Sequence, residues 1–107
     1  APISLARQVE RAVDALLPTG ECNLAMVAKL VEIHPRVLQK HLKAQGSSFA
    51  TILQSTRLRL AQYHLSNSTI DLTTLAMSLG FADLTAFSRA FKQWTAVSPS
   101  RWRQQAD

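Results

Sequence analysis

The sequence predicts an all-α fold in which two pairs of short helices, each pair closed by a tight turn, are joined by one long helix. Apolar residues recur at i, i+3, i+4 and i+7 along most of the 107-residue chain, and no alternating run of the kind a half-buried strand requires occurs. The periodic stretches are separated by Gly, Pro, Ser, Asn and Asp, the residues that stop and start helices. The pattern between Leu24 and Lys43 also returns between Leu72 and Lys92, which is an internal repeat.

Between Ser4 and Leu17, Leu5, Val9, Ala12, Val13 and Leu16 share one helical face, and Pro18-Thr19-Gly20 is the stop. Asn23 is placed to cap a second helix, Leu24 to Val31, whose stripe is Leu24, Val27, Ala28 and Val31. Pro35 suits the first turn of a third helix because its missing N–H is an orphan donor there in any case. In that helix Leu38 and Leu42 point inward, Arg36, Gln39, Lys40 and Lys43 point away, His41 is expected to pack beside the core, and Gly46 closes the element.

Ser47 or Ser48 caps a long fourth helix reaching about Leu65. It is apolar on two sides: Phe49, Leu53, Thr56, Leu60 and Tyr63 on one, Leu58, Ala61 and Leu65 on another, with Ser55, Arg59 and Gln62 left for solvent. That pattern predicts a strut between two small cores. Arg57 lies between the two apolar sides, so an internal carboxylate or carbonyl is its expected partner, and its role is read as structural. Ser66-Asn67-Ser68 ends the helix.

Asp71 is the N-cap of a fifth helix with Leu72, Leu75, Ala76 and Leu79 on one face. Gly80 ends it, because a sharp turn takes its left-handed residue from glycine. Asp83 caps the sixth helix, whose buried stripe is Phe87, Ala90, Phe91 and Trp94 and whose opposite face carries Thr85, Arg89 and Lys92. Ser98 and Pro99 form a cap and first-turn pair for a short seventh helix carrying Trp102.

The fifth and sixth helices read as a helix-turn-helix, since a donor-rich cationic stripe on a helix set behind a tight turn is what the DNA major groove accepts. The repeat strengthens that reading. Leu24, Val27, Ala28 and Val31 match Leu72, Leu75, Ala76 and Leu79 at one offset; past the turn the offset grows by one residue. Leu38 then matches Phe87 and Leu42 matches Phe91, while Arg36, Gln39, Lys40 and Lys43 match Thr85, Ser88, Arg89 and Lys92. Apolar helices resemble one another by chance, but recurrence of donors and cations on both outward faces is harder to obtain that way.

Composition agrees. An apolar content of 47% with 18% charged residues excludes disorder, and a net charge of +5 favours a polyanionic partner. Cys22 is the single cysteine, which permits no internal disulfide and suits a reducing cytoplasm. No window approaches the roughly 18 apolar residues of a membrane span. A chain beginning at Ala1 rather than Met is expected to be a fragment that has lost an N-terminal partner domain, or a product of methionine removal.

The run Ala76 to Gly80, the stretch GFADLTAFSRAFKQW, Ser98-Pro99 with Arg103, and VAKLVEIHPRVLQKHLKAQGSSF with Arg57, Ala61 and Leu65 together resemble the C-terminal DNA-binding domain of the AraC/XylS transcriptional regulators. The resemblance covers nearly the whole chain. It implies a single domain over residues 1–107 with seven helices: a first helix-turn-helix at about 23–46, a linker helix at about 48–65 and a second helix-turn-helix at about 71–95. It further implies double-stranded DNA as partner, with recognition helices in neighbouring major-groove segments, RNA polymerase contact in activation, and an effector-binding N-terminal domain outside this sequence. The base-facing positions fall on Arg36, Gln39 and Lys40 in the first unit and on Leu84, Thr85, Ala86 and Arg89 in the second. By helical spacing Leu84 tilts toward the core, while its place in the first turn would also present it to a thymine methyl. Lys43 and Lys92, one turn further along, are expected at phosphates.

Three positions depart from the pattern. Glu32 and Ala96 stand where glycine is usual, and at a positive φ each would cost about 1 to 2 kcal/mol. His34 replaces the usual serine before Pro35, so capping there is expected to be weaker or different.

No catalytic or metal chemistry is expected. His34, His41, His64, Cys22, Glu21 and Glu32 supply ligand types without CxxC, HxxxH or HExxH spacing, there is no nucleophile motif or phosphate-binding glycine loop, and no cofactor is implied. The rival reading is a helical protein-interaction module whose basic face meets an acidic partner.

Overall fold

The computed structural model describes residues 3–105. Among them there are seven α-helices and no strand: α1 (Leu5–Leu16), α2 (Leu24–Val31), α3 (Pro35–Ala44), α4 (Phe49–Asn67), α5 (Leu72–Ser78), α6 (Leu84–Thr95) and α7 (Pro99–Gln105), with a short 3-10 turn at Leu17–Thr19 after α1.

Local chemistry sets these bounds. The Ser4 Oγ accepts from the Arg7 N–H at 3.2 Å, Asn23 Oδ1 from Met26 at 2.9 Å, Asp71 Oδ2 from Thr74 at 3.1 Å and Asp83 Oδ1 from Ala86 at 2.8 Å. Each satisfies one of the donors that a helix start leaves unpaired. Of the two serines before α4, Ser48 is the cap, accepting from Thr51 N–H at 3.1 Å. Ser98 caps α7 through Arg101 N–H at 3.2 Å, with Pro99 following it.

The first helix of each pair ends in the same way. After α5, Gly80 N–H donates to the Met77 carbonyl and Phe81 N–H to that of Ala76; after α2, Glu32 N–H donates to Lys29 and Ile33 N–H to Ala28. Both are Schellman turns, which need one left-handed residue. Gly80 takes it at φ 86°, and Glu32, at the corresponding place, takes it at φ 58° despite its side chain. Ala96 is also left-handed, at φ 71°, where α6 ends. Both departures from glycine therefore sit at strained positions.

The chain divides into two compact units, one running to Thr56 and the other beginning at Arg57. In the first, α1 packs on α2 and α3, and Val9, Val13, Leu17, Val27, Ala28, Leu38 and Leu42 are buried together with Ile52 and Thr56 of α4. In the second, Ala61, Leu65, Leu75, Ala76, Leu79, Phe87 and Phe91 form one core, with Phe81, Trp94 and Trp102 packed against it. Phe91 meets Phe87 at 5.8 Å and Trp102 at 5.7 Å between ring centroids, both edge-on, the geometry that aromatic quadrupoles favour.

Three expectations require correction. His41 is exposed rather than packed beside the core. Tyr63 is 60% exposed, so it does not belong to an apolar side of α4. Ile52, absent from the expected stripes, is buried. The buried residues of α4 are Ile52 and Thr56, then Ala61 and Leu65: two pairs at i, i+4 spacing rather than two continuous stripes.

Candidate nucleic-acid interface

The outward face of α3 begins at its cap. His34 adopts φ −57° and ψ 138°, and its Nδ1 accepts from Arg36 N–H at 3.2 Å. The cap is thus made by an imidazole nitrogen two residues before the donor rather than by a hydroxyl three before it, which is the different capping expected at this position. Pro35 follows with no N–H to satisfy. Leu38 and Leu42 anchor the helix by their full burial, and this turns Arg36, Gln39, Lys40 and Lys43 outward, where all four are exposed.

Gln39 and Lys43 also line a cleft of about 570 Å³ with Leu24, Ser47, Ser48, Phe49 and Ala50. Lys43 thus shares this cleft with Phe49 and Ala50 of the first turn of α4, and a helix N-terminus favours anions. Arg36 and Lys40 lie outside this cleft.

In the second unit, the turn before α6 is held from α4. Arg57 Nε donates to the Leu79 carbonyl at 2.7 Å and Nη2 to the Gly80 carbonyl at 3.2 Å, and the guanidinium lies 4.5 Å from the Phe81 ring centroid. These two partners are carbonyls, one of the two expected kinds. Phe87 and Phe91, fully buried, set the rotation of α6 and leave Thr85, Arg89 and Lys92 exposed. Leu84 is half-buried and packs against the second core, as its helical spacing implies, and Ala86 is half-buried beside Thr85.

Neither α3 nor α6 contains a carboxylate, so every formal charge on both helices is positive. Arg7 is paired with Glu10 at 2.8 Å. By contrast, no hydrogen bond or ion pair to another described residue holds the side chains of Arg36, Gln39, Lys40, Lys43, Arg89 or Lys92. Two helices carrying only unpaired cations, each behind a Schellman turn, suit an anionic partner that admits a helix.

Val37 is not among the residues that spacing or the resemblance assigns to this face. It is 42% exposed on α3 between Arg36 and the buried Leu38. The repeat carried the signal, since the offset that pairs Arg36 with Thr85 pairs Val37 with Ala86.

A family model described as a helix-turn-helix domain matches residues 27–105. The chain belongs to the AraC-type helix-turn-helix family. As a member of it, the chain is a DNA-binding domain of transcription regulation. The AraC-type domain is 29% identical over 100 residues to the HTH-type transcriptional regulator VirS of Mycobacterium tuberculosis, a match that covers 94% of this chain and 29% of VirS. It thus spans under a third of that relative's length. In fold it is similar to a DNA-binding transcriptional dual regulator from Escherichia coli K-12, with TM-score 0.86, 18% identity and coverage of 97% and 99% of the two chains. The same holds for the DNA-binding domain of AdpA, a global transcriptional factor solved in complex with a target DNA, with TM-score 0.78, 22% identity and coverage of 94% and 90%.

Proposed function

We propose that this AraC-type domain reads double-stranded DNA with two helices, α3 in one major-groove segment and α6 in the neighbouring one. Arg36, Gln39 and Lys40 read bases in the first segment; Leu84, Thr85, Ala86 and Arg89 read them in the second. Lys43 and Lys92 hold phosphates. The observation that supports this best is the absence of any carboxylate from α3 and α6 combined with the unpaired state of their cations.

The chemistry of each side chain fits its role. An arginine or lysine can reach guanine O6 and N7, and a glutamine can pair with adenine through N6 and N7. Lys43, which shares a cleft with the first turn of α4, is suited to a phosphate oxygen by its charge, and the helix dipole there favours the same anion. The target of AdpA in its complex is DNA, which supports the same partner here.

In the whole protein, the domain works in the cytoplasm under an N-terminal effector-binding domain, contacts RNA polymerase, and performs no catalysis. No helix among the described residues is long and apolar enough to cross a membrane. Selection of bound duplexes from a random library at stated salt tests the reading. A defined consensus, with affinity falling steeply as salt rises, is expected. Equal binding to selected and random duplexes would instead favour a protein-interaction module.

A further inference from the structure

We propose that Val37 is a specificity-determining residue of the first unit, contacting the C5-methyl group of a thymine in the segment that α3 enters. The proposal rests on the reading of α3 as a recognition helix.

Val37 is 42% exposed on a helix whose other outward residues are polar, cationic or alanine. A β-branched side chain at an exposed helical position adds nothing to helix stability, because its rotamers are restricted against the preceding turn. Its place on the helix is informative. With about 100° between successive residues, Lys40 lies about 40° from Arg36 on one side and about 60° from Val37 on the other. Arg36, Lys40 and Val37 thus form one continuous surface, with Lys40 in the middle. Val37 is also in the first turn, as the third residue after the His34 cap, and the N-terminal residues of a recognition helix are those that reach base edges.

The repeat places Ala86 at the same position of α6, flanked by Thr85 and Arg89 as Val37 is by Arg36 and Lys40. Both units therefore set an apolar side chain beside their donors. In the major groove the thymine methyl is the apolar feature that such a side chain can recognise, while the flanking donors take the acceptors of neighbouring bases.

The test is a double-mutant cycle between protein and DNA. On the selected site, each thymine in the segment protected by the first unit is replaced singly by uracil, which deletes only the methyl group, and binding is measured for the wild type and Val37→Ala. At one position, uracil should weaken wild-type binding about four-fold, the equivalent of one buried methyl, and weaken Val37→Ala less than two-fold. A melting temperature for Val37→Ala no lower than that of the wild type shows that folding is intact. If no uracil position separates the two proteins, or the segment contains no preferred thymine, Val37 is not a reader. If in addition Arg36→Ala and Lys40→Ala leave binding unchanged, α3 is not a recognition helix, and the underlying reading falls with the proposal.

Discussion

Arg57 Nε donates to the Leu79 carbonyl at 2.7 Å, joining α4 to the turn that precedes α6. Carbonyls at the end of α5 have no partner within their own helix, and the guanidinium satisfies two of them while its plane lies near the Phe81 ring. The side chain therefore holds the turn on which the direction of α6 depends. Arg57→Ala should destabilise the second unit by about 2 to 3 kcal/mol, from loss of two charge-assisted hydrogen bonds and a cation–π contact. Arg57→Lys should recover less than half, because an ammonium cannot span both carbonyls as a planar fork does. Urea melts would check both variants, and a loss below about 0.5 kcal/mol for Arg57→Ala would show that the contact holds nothing.

Glu32 and Ala96 offer the opposite case, positions where substitution should stabilise. Both are left-handed, at φ 58° and 71°, so Glu32→Gly and Ala96→Gly should each relieve Cβ strain of about 1 kcal/mol. The corresponding rise in melting temperature is roughly 4 °C. Ala96→Gly should leave DNA affinity within two-fold, since the residue is past the exposed face of α6. A lower melting temperature for either variant would mean that the glycine raises the entropy of the unfolded chain by more than the strain it removes.

Substitutions at Arg89 and Lys92 are expected to differ in kind. Arg89→Ala should cost about 1 to 3 kcal/mol on the preferred site and little on random DNA, so that selectivity is lost at one or two base positions. Lys92→Ala and Lys43→Ala should weaken binding to all sequences alike and lower the log-log salt slope by about one unit each. Base preferences that survive Arg89→Ala unchanged would reassign Arg89 to a phosphate.

Much of this was legible because helix ends are written in local chemistry. Asn23, Asp71 and Asp83 cap the helices they were expected to cap, and Gly46 and Gly80 close theirs in the left-handed conformation. Burial was legible where a stripe has one side, as with Leu38 and Leu42 or Phe87 and Phe91. It failed on α4 and at His41. Spacing tells which residues share a side of a helix but not how far a neighbouring element covers that side, so it puts Tyr63 and His41 inward and leaves Ile52 out. The partner of Arg57 was legible only as a class, since its carbonyls lie 22 and 23 residues away and depend on tertiary contact. The exposure of Val37 is not legible from spacing, because an apolar residue beside a buried leucine carries no local sign of whether it is covered.

If α3 and α6 read separate stretches of DNA, each helix governs its own part of the footprint. Hydroxyl-radical footprinting of the monomeric domain on its selected site, repeated with Arg36→Ala, Lys40→Ala and Arg89→Ala, tests this most directly. Two protected stretches of unlike sequence are expected in successive major-groove segments, about 10 base pairs apart. Arg36→Ala and Lys40→Ala should relax base preference in one stretch only, and Arg89→Ala in the other only. A single protected stretch, or one stretch whose preferences respond to substitutions in both helices, would contradict the account.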